Sequence, residues 1–254
     1  MTTASATPKA RGKGRKNLAT ERGTSRLSHT AENYLLSLSI LQEDGIAPHI
    51  SQLAAYLRHI PPEEEVGTTL ASVSGMVQRM AKEGLLVVSK EKEIFLTEEG
   101  QRVARGVVRR HRLAERLLTD ILGVPLERAE GEAHRLEHSI SPWLLERIET
   151  KLGNPETCPY GRPIYRENEP APRKEAVGTI RLSESKPGTA YLVTRIPDED
   201  YPLLRFLVEN KILPGQRIVI DDNAPYRGVV DLRRDNERVS LGMEVTHRVR
   251  VRPA

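Results

Sequence analysis

The stretch TLASVSGMVQRMAKEGLLVVSKEKEIFLT (69–97) decides the fold of the first part of this 254-residue chain. Its first segment, 69–84, predicts an amphipathic helix, because four apolar side chains recur at helical spacing: Leu70, Val73, Val77 and Met80. Its second segment, 85–97, holds two short β-like runs around SKEKE. The stretch therefore predicts a helix followed by a β-hairpin with a basic tip.

Two further predicted helices precede this stretch. The run AENYLLSLSILQEDG (31–45) has a helical apolar period and ends at Gly45. The run SQLAAYLRH (51–59) predicts a shorter helix with Ser51 as its N-cap. Three helices followed by a basic-tipped hairpin are typical of a winged helix-turn-helix DNA-binding domain, which we place at 28–99.

The middle of the chain predicts a helical domain at 100–165. Three periodic runs follow one another: 97–123, 125–141 and 141–153. Thr97 is placed to cap the first of them, and Ser141 caps the third with Pro142 in its first turn.

The rest of the chain changes character after a proline-rich loop and a linker at 166–176. Four strand-like segments alternate with turns: YLVTRI (191–196), RIVIDD (217–222), GVVDLRR (228–234) and HRVRVRP (247–253). A short helix is predicted among them, within 197–215. This pattern is typical of a small β-barrel domain, which we place at 177–254. The fold class is therefore mainly α with β.

Composition and charge limit the class of protein. No run of about 18 apolar residues is present, so no membrane span or membrane partner is predicted, and the N-terminus lacks the apolar core of a secretory signal. A single cysteine, Cys158, excludes an internal disulfide and fits a cytoplasmic location. Residues 1–26 hold seven Lys or Arg and one acid, which leaves the rest of the chain with a net charge of −2. The segment 1–27 is predicted to be a disordered basic tail, which either binds phosphate backbones or only aids solubility.

The sequence HRLEH (134–138) holds two of the seven histidines of the chain. Because each residue of a helix turns ~100°, four residues with metal-binding side chains share one helix face: Glu130, His134, Glu137 and His138. The preceding predicted helix presents His111 and Glu115 at i, i+4. Imidazole together with carboxylate suits divalent ions such as Mn, Fe and Zn, so the two helices predict a metal site.

Two other interpretations of these residues are open. The HxxEH motif at 134–138 is also the signature of inverzincin zinc peptidases, in which the histidines bind zinc and the glutamate is the general base. No later predicted helix offers the paired acids of such an enzyme, and a helix-turn-helix has no role in one. The helix faces could also be plain salt bridges, for example between Glu115 and Arg112 or Arg116.

With these parts in order, the chain resembles the diphtheria toxin repressor family of metal-dependent transcriptional regulators, which includes iron-dependent and manganese-transport regulators. Three segments carry the resemblance: RRHRLAERLLTDILG (109–123), EAHRLEHSIS (132–141) and NPETCPYGRPI (154–164). The resemblance covers residues 30–254. It implies a winged helix, a helical dimerisation domain and a C-terminal SH3-like domain similar to ferrous-iron transport protein A.

The resemblance implies two neighbouring metal sites. The family's ancillary site corresponds to His111, Glu115 and Glu130, and its primary site to Glu137 and His138. Cys158 lies in the family's CPxG loop but not at a ligand position, so it is interpreted as a free thiol.

Several positions depart from the family pattern. His134 stands where iron regulators have Cys and manganese regulators have Glu. Asn33 stands where the N-terminal helix contributes Met or Asp, and Leu36 replaces a second carboxylate of the manganese type. The C-terminal domain is expected to offer Asp200 or Glu199 to the ancillary site. Because the site lacks sulfur, Mn(II) is favoured over Fe(II) as the divalent cofactor, with Zn(II) possible in vitro.

The resemblance also places helix 69–84 in the major groove of DNA. The candidate DNA contacts lie on its polar face and at the tip of the wing: Thr69, Ser72, Ser74, Gln78, Arg79, Lys82, Lys90 and Lys92. Hydroxyl and amide groups would read bases, while Arg and Lys chiefly position the protein on phosphates. Gly75 replaces a glutamine of the iron regulators. The acids of the inserted PPEEE (61–65) are expected to point away from DNA.

Together these features predict a cytoplasmic, homodimeric, metal-activated transcription regulator that binds double-stranded DNA at a palindromic operator. The genes it represses are expected to serve manganese or iron homeostasis. A zinc metallopeptidase that uses HxxEH at 134–138 is the alternative.

Overall fold

The computed structural model describes residues 27–165 and 178–254. The predicted linker at 166–176 and residues 1–26 of the predicted basic tail lie outside the described residues. No helix in the described part of the chain is long and apolar enough to cross a membrane.

Three helices and a hairpin form the N-terminal unit, in the predicted order. They are α1 (His29–Glu43), α2 (Ile50–Tyr56), α3 (Leu70–Lys82), β1 (Leu86–Val88) and β2 (Ile94–Leu96). Two short 3-10 turns, Leu57–His59 and Pro62–Glu64, occupy the connection between α2 and α3. Ser28 and Thr69 cap α1 and α3, since each side chain accepts a hydrogen bond from the first helical turn.

Two details of this unit differ from the sequence prediction. Helix α2 begins one residue earlier than expected, with His49 at its N-cap; the Gln52 side chain accepts a hydrogen bond from the His49 backbone N–H at 2.9 Å. Ser51 is therefore not the cap. Leu70 does not belong to the buried stripe of α3, because it lies in the first turn and is 60% exposed. Val73, Val77 and Met80 are buried as predicted.

Three helices form the middle unit: α4 (Glu98–Arg116), α5 (Leu126–Glu137) and α6 (Pro142–Lys151). Thr97 and Ser141 cap α4 and α6 as predicted. A π-helical segment, Leu117–Ile121, continues α4. Helix α5 ends at Glu137 rather than at residue 141, because Ser141 and Pro142 already start α6. This ending leaves His138 at the C-cap of α5, where it faces α1.

The C-terminal unit is a six-stranded antiparallel sheet with two helices. Its elements are β3 (Ile180–Arg181), β4 (Ala190–Arg195), α7 (Tyr201–Glu209), β5 (Arg217–Ala224), β6 (Val229–Arg234), β7 (Glu237–Gly242), α8 (Met243–Arg248) and β8 (Arg250–Pro253). The strand order is β3-β8-β4-β5-β6-β7. Strands β3 and β7 and helix α8 were not predicted from the sequence, and the last strand begins later than predicted, because residues 247 and 248 are helical. The closed SH3-like barrel stays a prediction.

Buried apolar side chains form separate clusters in the three units. A smaller cluster lies between α1 and α4, where Leu36 and Ile40 pack with Val107, Val108 and Tyr165. Helix α4 thus packs against α1 on one side and α5 on the other. This arrangement brings the N-terminal end of α1 close to the C-terminal end of α5.

A tight backbone approach joins the loop after α6 to the C-terminal sheet. Gly161 adopts φ +89°, and a Cβ at this position would lie 1.9 Å from the carbonyl oxygen of Thr194 in β4. The backbone N–H of Ile196 donates a hydrogen bond to the carbonyl of Tyr160 at 3.0 Å. Only glycine fits between these two segments.

Candidate metal centre

Helices α4 and α5 bury the predicted ligand residues against each other. His111 lies between two carboxylates, with Nε2 3.0 Å from Glu115 Oε1 and Nδ1 2.6 Å from Glu137 Oε2. All three side chains are buried. The i, i+4 spacing of His111 and Glu115 and the packing of α4 on α5 therefore produce a charged contact inside the protein rather than a solvated helix face.

His134 and Glu130 complete this first group. His134 Nε2 lies 2.9 Å from Glu130 Oε1, and the His134 ring centroid lies 4.7 Å from that of His111. Donor atoms of His111, Glu130 and His134 all lie within 4.8 Å of one another. We call His111, Glu115, Glu130 and His134 the helical cluster. His134 also lies near the other group, since its Nδ1 is 3.9 Å from Glu137 Oε1, and its role at the family's Cys or Glu position stays a prediction.

A second group forms where α5 meets α1 and the connection between α2 and α3. His138 Nε2 lies 3.4 Å from Glu137 Oε1 and 3.4 Å from Glu64 Oε2. The side chain of Asn33 donates from Nδ2 to Glu64 Oε2 at 3.3 Å. We call Asn33, Glu64, Glu137 and His138 the bridging cluster, because its members come from three separate segments of the chain.

Three residues in or beside the bridging cluster were not predicted from the sequence: His29, Glu32 and Glu64. Glu32 Oε2 lies 2.7 Å from His138 Nδ1, and Glu32 also pairs with Arg110 at 2.7 Å. His29 stacks on His138 with ring centroids 4.3 Å apart, and donor atoms of His29, Glu64 and His138 lie within 4.8 Å of one another. The i, i+4 spacing places His29 and Asn33 on one face of α1, and it could have predicted His29 as a further candidate ligand.

Four buried donor atoms in these clusters have no hydrogen-bond partner in the part of the chain that the structure describes: Asn33 Oδ1, Glu115 Oε2, His134 Nδ1 and Glu137 Oε1. An unpaired buried polar atom costs ~1–3 kcal/mol. The clusters also gather four carboxylates, from Glu64, Glu115, Glu130 and Glu137, and Glu32 adds a fifth beside the bridging cluster. The structure pairs Glu32 with an arginine and a histidine, and the other four with histidines. Oxygen and imidazole donors with excess negative charge fit divalent transition metals.

The electrostatics of the clusters follow from this excess of carboxylates. Burial would lower the pKa of His111, but the carboxylates of Glu115 and Glu137 outweigh burial and hold that pKa well above its usual value. The pKa of His138 is likewise raised, because its contacts with Glu32 and Glu137 outweigh burial. Burial would raise the pKa of Glu32, yet His138 and Arg110 lower it. The carboxylates thus favour the positively charged forms of His111 and His138, and a bound cation would take the place of that charge.

The remaining candidate ligands, Asp200 and Glu199, have other partners. Asp200 caps α7, where its Oδ1 accepts a hydrogen bond from the backbone N–H of Leu203 at 3.1 Å. Glu199 forms an ion pair with Arg248, and burial together with the nearby Asp198 raises the pKa of Glu199 to about 7. A ligand role for Asp200 stays a prediction. Cys158 is buried, and burial raises the pKa of its thiol well above the usual value.

The candidate DNA contacts lie on the surface of the N-terminal unit. All of them are exposed except Ser74, which is half-buried. Thr69 and Ser72 form the capped first turn of α3, and Arg79 pairs with Glu83 at 3.0 Å one turn before the end of the helix. Lys90 and Lys92 lie in the turn between β1 and β2. Polar and basic side chains therefore line the exposed side of α3 and the hairpin tip.

Comparison with known proteins identifies the class. Residues 97–166 match the family described as iron dependent repressor, metal binding and dimerisation domain, and residues 180–253 match the FeoA domain. The Mycobacterium tuberculosis protein named iron-dependent repressor IdeR is 34% identical over 234 residues, which cover 89% of this chain and 97% of that protein. The diphtheria toxin repressor of Corynebacterium diphtheriae is 35% identical over 163 residues, 64% of this chain and 65% of that protein.

A solved structure of a manganese-dependent transcriptional repressor in complex with manganese superposes with a TM-score of 0.74 at 27% identity, covering 88% of this chain and 100% of that chain. The fold and the donor clusters thus define a metal-dependent transcriptional regulator. The chain belongs to the diphtheria toxin repressor family. Members of this family are not enzymes, and the zinc-peptidase interpretation of HRLEH gains no support.

Proposed function

We propose that this protein is a transcriptional repressor whose binding to DNA is activated by a divalent metal held in the two clusters. The observation that carries the proposal is the bridging cluster. It joins α1, in the unit that presents α3 to DNA, to α5 in the helical unit, through the contacts of His138 with Glu32 and Glu64. A cation that binds there links the two units.

The DNA-binding unit is the winged helix-turn-helix at 28–99, with α3 as the recognition helix. Its support is the buried stripe of Val73, Val77 and Met80, which leaves the opposite side of α3 exposed and polar. Ser and Thr hydroxyls and the Gln78 amide reach base edges, while the basic side chains at the end of α3 and in the hairpin contact phosphates. The exposed Leu70 adds an apolar group suited to a thymine methyl.

The helical unit at 100–165 forms the homodimer. Four large apolar side chains stand exposed at the end of α4 and on α6: Ile121, Leu122, Trp143 and Leu144. Trp143 is 66% exposed, and large apolar groups that are exposed in the monomer are candidates for an association surface. A symmetric dimer presents two recognition helices, which matches a palindromic operator. The C-terminal unit at 177–254 is the SH3-like domain.

The donor set favours Mn(II) over Fe(II) as the physiological metal. Helical and bridging clusters together offer carboxylates, imidazoles and one amide oxygen, without sulfur. Hard oxygen donors suit Mn(II), although raw affinity for such a site also permits Zn(II) in vitro. The bound metal supplies positive charge and joins its ligands. Glu32 orients His138 through Nδ1 in the manner of a carboxylate–histidine pair behind a metal.

Regulation then follows from linkage. If metal holds α1 and α5 in the arrangement that places both recognition helices on one operator, DNA binding and metal binding strengthen each other by the same factor. The protein would act in the cytoplasm on genes of manganese or iron homeostasis, where rising metal turns transcription off.

Selection from a randomised double-stranded DNA library tests this function. The full-length protein is incubated with the library and Mn(II), Fe(II) under anaerobic conditions, Zn(II), or a chelator alone. We expect enrichment of one palindromic sequence with Mn(II) and Fe(II), reached at lower free metal with Mn(II), and none with chelator. Equal enrichment of the same sequence with chelator would contradict metal activation, and a selected sequence without two-fold symmetry would contradict the palindromic operator.

A further inference from the structure

The connection between α2 and α3 does not run freely over the surface. Residues 61–64 lie along α5, with Pro61 near Gly131, where a Cβ would be 3.9 Å from Pro61 Cγ. Glu63 pairs with Arg135 of α5 at 3.2 Å. The inserted prolines and acids therefore dock this segment onto the helix that carries His134, Glu137 and His138.

Glu64 enters the bridging cluster from this segment. Its side chain is 10% exposed, and its Oε2 lies 3.4 Å from His138 Nε2 and 3.3 Å from Asn33 Nδ2. Its neighbours Glu63 and Glu65 are exposed. Glu64 and Glu137 both lie 3.4 Å from the single imidazole nitrogen His138 Nε2, and a bound cation would offset the negative charge of these two nearly buried carboxylates.

Asn33 provides an independent sign that a ligand belongs here. Its side chain is fully buried, and its Oδ1 has no hydrogen-bond partner among the described residues while its Nδ2 contacts Glu64. Glu137 Oε1, which faces this cluster, is also buried and has no hydrogen-bond partner among the described residues. Helix α1 itself offers no carboxylate at this point, because Leu36 packs into the apolar contact with α4 and Glu32 is turned to Arg110 and His138 Nδ1.

We infer that Glu64 is a ligand of the divalent metal held by His138 and Glu137, so that the segment inserted before the recognition helix takes part in the metal site. This inference rests on the proposed function. It adds the connection between α2 and α3 to the two helices, α1 and α5, that the metal joins. The donor set is then two carboxylates, an imidazole and an amide oxygen, which suits a Mn(II)-class cation.

The position of Glu64 connects a bound metal to α3, the proposed recognition helix. Only four residues separate Glu64 from Thr69, the N-cap of α3. Gly67 lies against the first turn of α3, since a Cβ at this position would be 2.6 Å from Ser72 Oγ, and the Tyr34 hydroxyl donates to the Gly67 carbonyl at 3.5 Å. A metal bound through Glu64 thus fixes the segment that leads into α3, in addition to α1.

The test compares Glu64→Gln with Glu63→Gln, a matched change in the same segment that removes a charge outside the cluster. Each full-length protein is titrated with Mn(II) alone, and free Mn(II) is measured by electron paramagnetic resonance. Glu64→Gln keeps the size of the side chain and its contact with Asn33. We expect it to weaken Mn(II) binding at one site by at least about tenfold, since even an outer-sphere partner contributes that much, while Glu63→Gln binds like the wild type.

Hydrogen–deuterium exchange supplies a second measurement. Mn(II) should protect the amides of residues 63–69 in the wild type and in Glu63→Gln, and should leave them unprotected in Glu64→Gln. Wild-type affinity and protection in Glu64→Gln would overturn the inference. The variant His138→Ala separates failure of this inference from failure of the proposed function. If His138→Ala loses a Mn(II) site and Glu64→Gln does not, only the role of Glu64 is refuted. If the wild type binds no Mn(II), the proposed function itself is refuted.

Discussion

The two ends of α1 are both held by charged side chains, but by different kinds. At its N-terminal end, Glu32 and Asn33 meet His138 and Glu64. At its C-terminal end, ion pairs with arginines hold the helix: Glu43 with Arg112 at 2.6 Å, Asp44 with Arg195 at 2.6 Å, and both acids with Arg162 at 3.3 Å. Since Glu43 follows Glu32 by eleven positions of α1, these two attachments lie ~16 Å apart at 1.5 Å per residue.

The difference lies in where the positive charge comes from. Arginine keeps its charge at every working pH, and Arg112 and Arg162 outweigh the effect of burial to lower the pKa of Glu43. At the other end, positive charge comes from protonated histidines or from a bound cation. The C-terminal end of α1 is therefore a permanent attachment to the helical and C-terminal units, and the N-terminal end is a conditional one. Four predictions test this contrast.

Removing the permanent attachment should have the largest effect. Arg162→Ala leaves the buried Asp198 and the acids at the end of α1 without their shared partner, and breaking a buried ion pair by removing one member costs about 3–5 kcal/mol. We expect urea unfolding to show a loss of this size both with and without Mn(II). Arg227→Ala, which removes an exposed pair with Asp222 and Asp231, is the control and should leave the unfolding curve in place. An unfolding free energy unchanged in Arg162→Ala would show that this end is not an attachment point.

Breaking the conditional attachment should change regulation more than stability. His138→Ala removes the imidazole common to Glu32, Glu64 and Glu137. Linkage between two sites amounts to about 5- to 150-fold in affinity, and we expect this variant to lose the whole stimulation of operator binding by Mn(II) in a mobility-shift titration. His247→Ala, an exposed histidine of α8, should respond to Mn(II) like the wild type. Retained metal stimulation in His138→Ala would refute the assignment of the bridging cluster.

The permanent attachment should weaken in acid. Although burial opposes it, the Arg162 guanidinium lowers the pKa of Asp198 to about 2. A carboxyl group whose pKa is lower in the folded chain stabilises the fold above its unfolded pKa, and this stabilisation disappears as pH falls through the folded pKa. Between pH 5 and pH 2 the wild type should lose about 2 kcal/mol more unfolding free energy than Asp198→Asn, at about 1.4 kcal/mol per pKa unit. Parallel pH profiles from urea unfolding would contradict the role of this pair.

The helical cluster should show the smallest effect on regulation. His111 contacts Glu115, Glu137 and His134, all within α4 and α5, so its metal does not by itself hold α1. His111→Ala should weaken Mn(II) binding by about tenfold, yet operator binding should recover at saturating Mn(II). If saturating Mn(II) restored operator binding of His138→Ala equally well, or failed to restore that of His111→Ala, the two clusters would not differ in their control of α1.

The sequence predicted the parts of the site that depend on local periodicity. His111 with Glu115 and Glu130 with His134 are i, i+4 pairs, so helix geometry alone placed each pair on one face. Glu32 and Glu64 escaped prediction because their partners come from packing. The contact of Glu32 with His138 spans 106 positions, and Glu64 lies in an insertion whose docking on α5 has no periodic pattern. The orientation of the His134 ring toward His111 likewise depends on how α4 packs on α5.

The fold was likewise predicted where a local sequence pattern decides the structure, and missed where tertiary packing decides it. Helices α1, α3 and α6, and α4 together with its π-helical continuation, were predicted to within a few residues, because apolar residues recur at helical spacing and predicted caps mark the starts of α4 and α6. Strand β3 is only two residues long, too short for alternation to be visible. Helix α8, MEVTHR, contains β-branched residues that favour extended structure, and its helical form is decided by tertiary packing, including the buried Thr246.

The glycine beside Arg162 has a consequence for genetics. The backbone of Gly161 passes so close to Thr194 that a single methyl group would collide with it. Every missense change at codon 161 is therefore expected to change the packing of the C-terminal sheet against the loop that carries Arg162. Mutation of Gly161 should therefore weaken the permanent attachment of α1, although this residue carries no charge and lies in neither cluster. In a screen for constitutive expression of a repressed reporter, codon 161 should yield loss-of-function alleles with every amino acid that base changes there encode, whereas at Arg162 a lysine would retain part of the attachment.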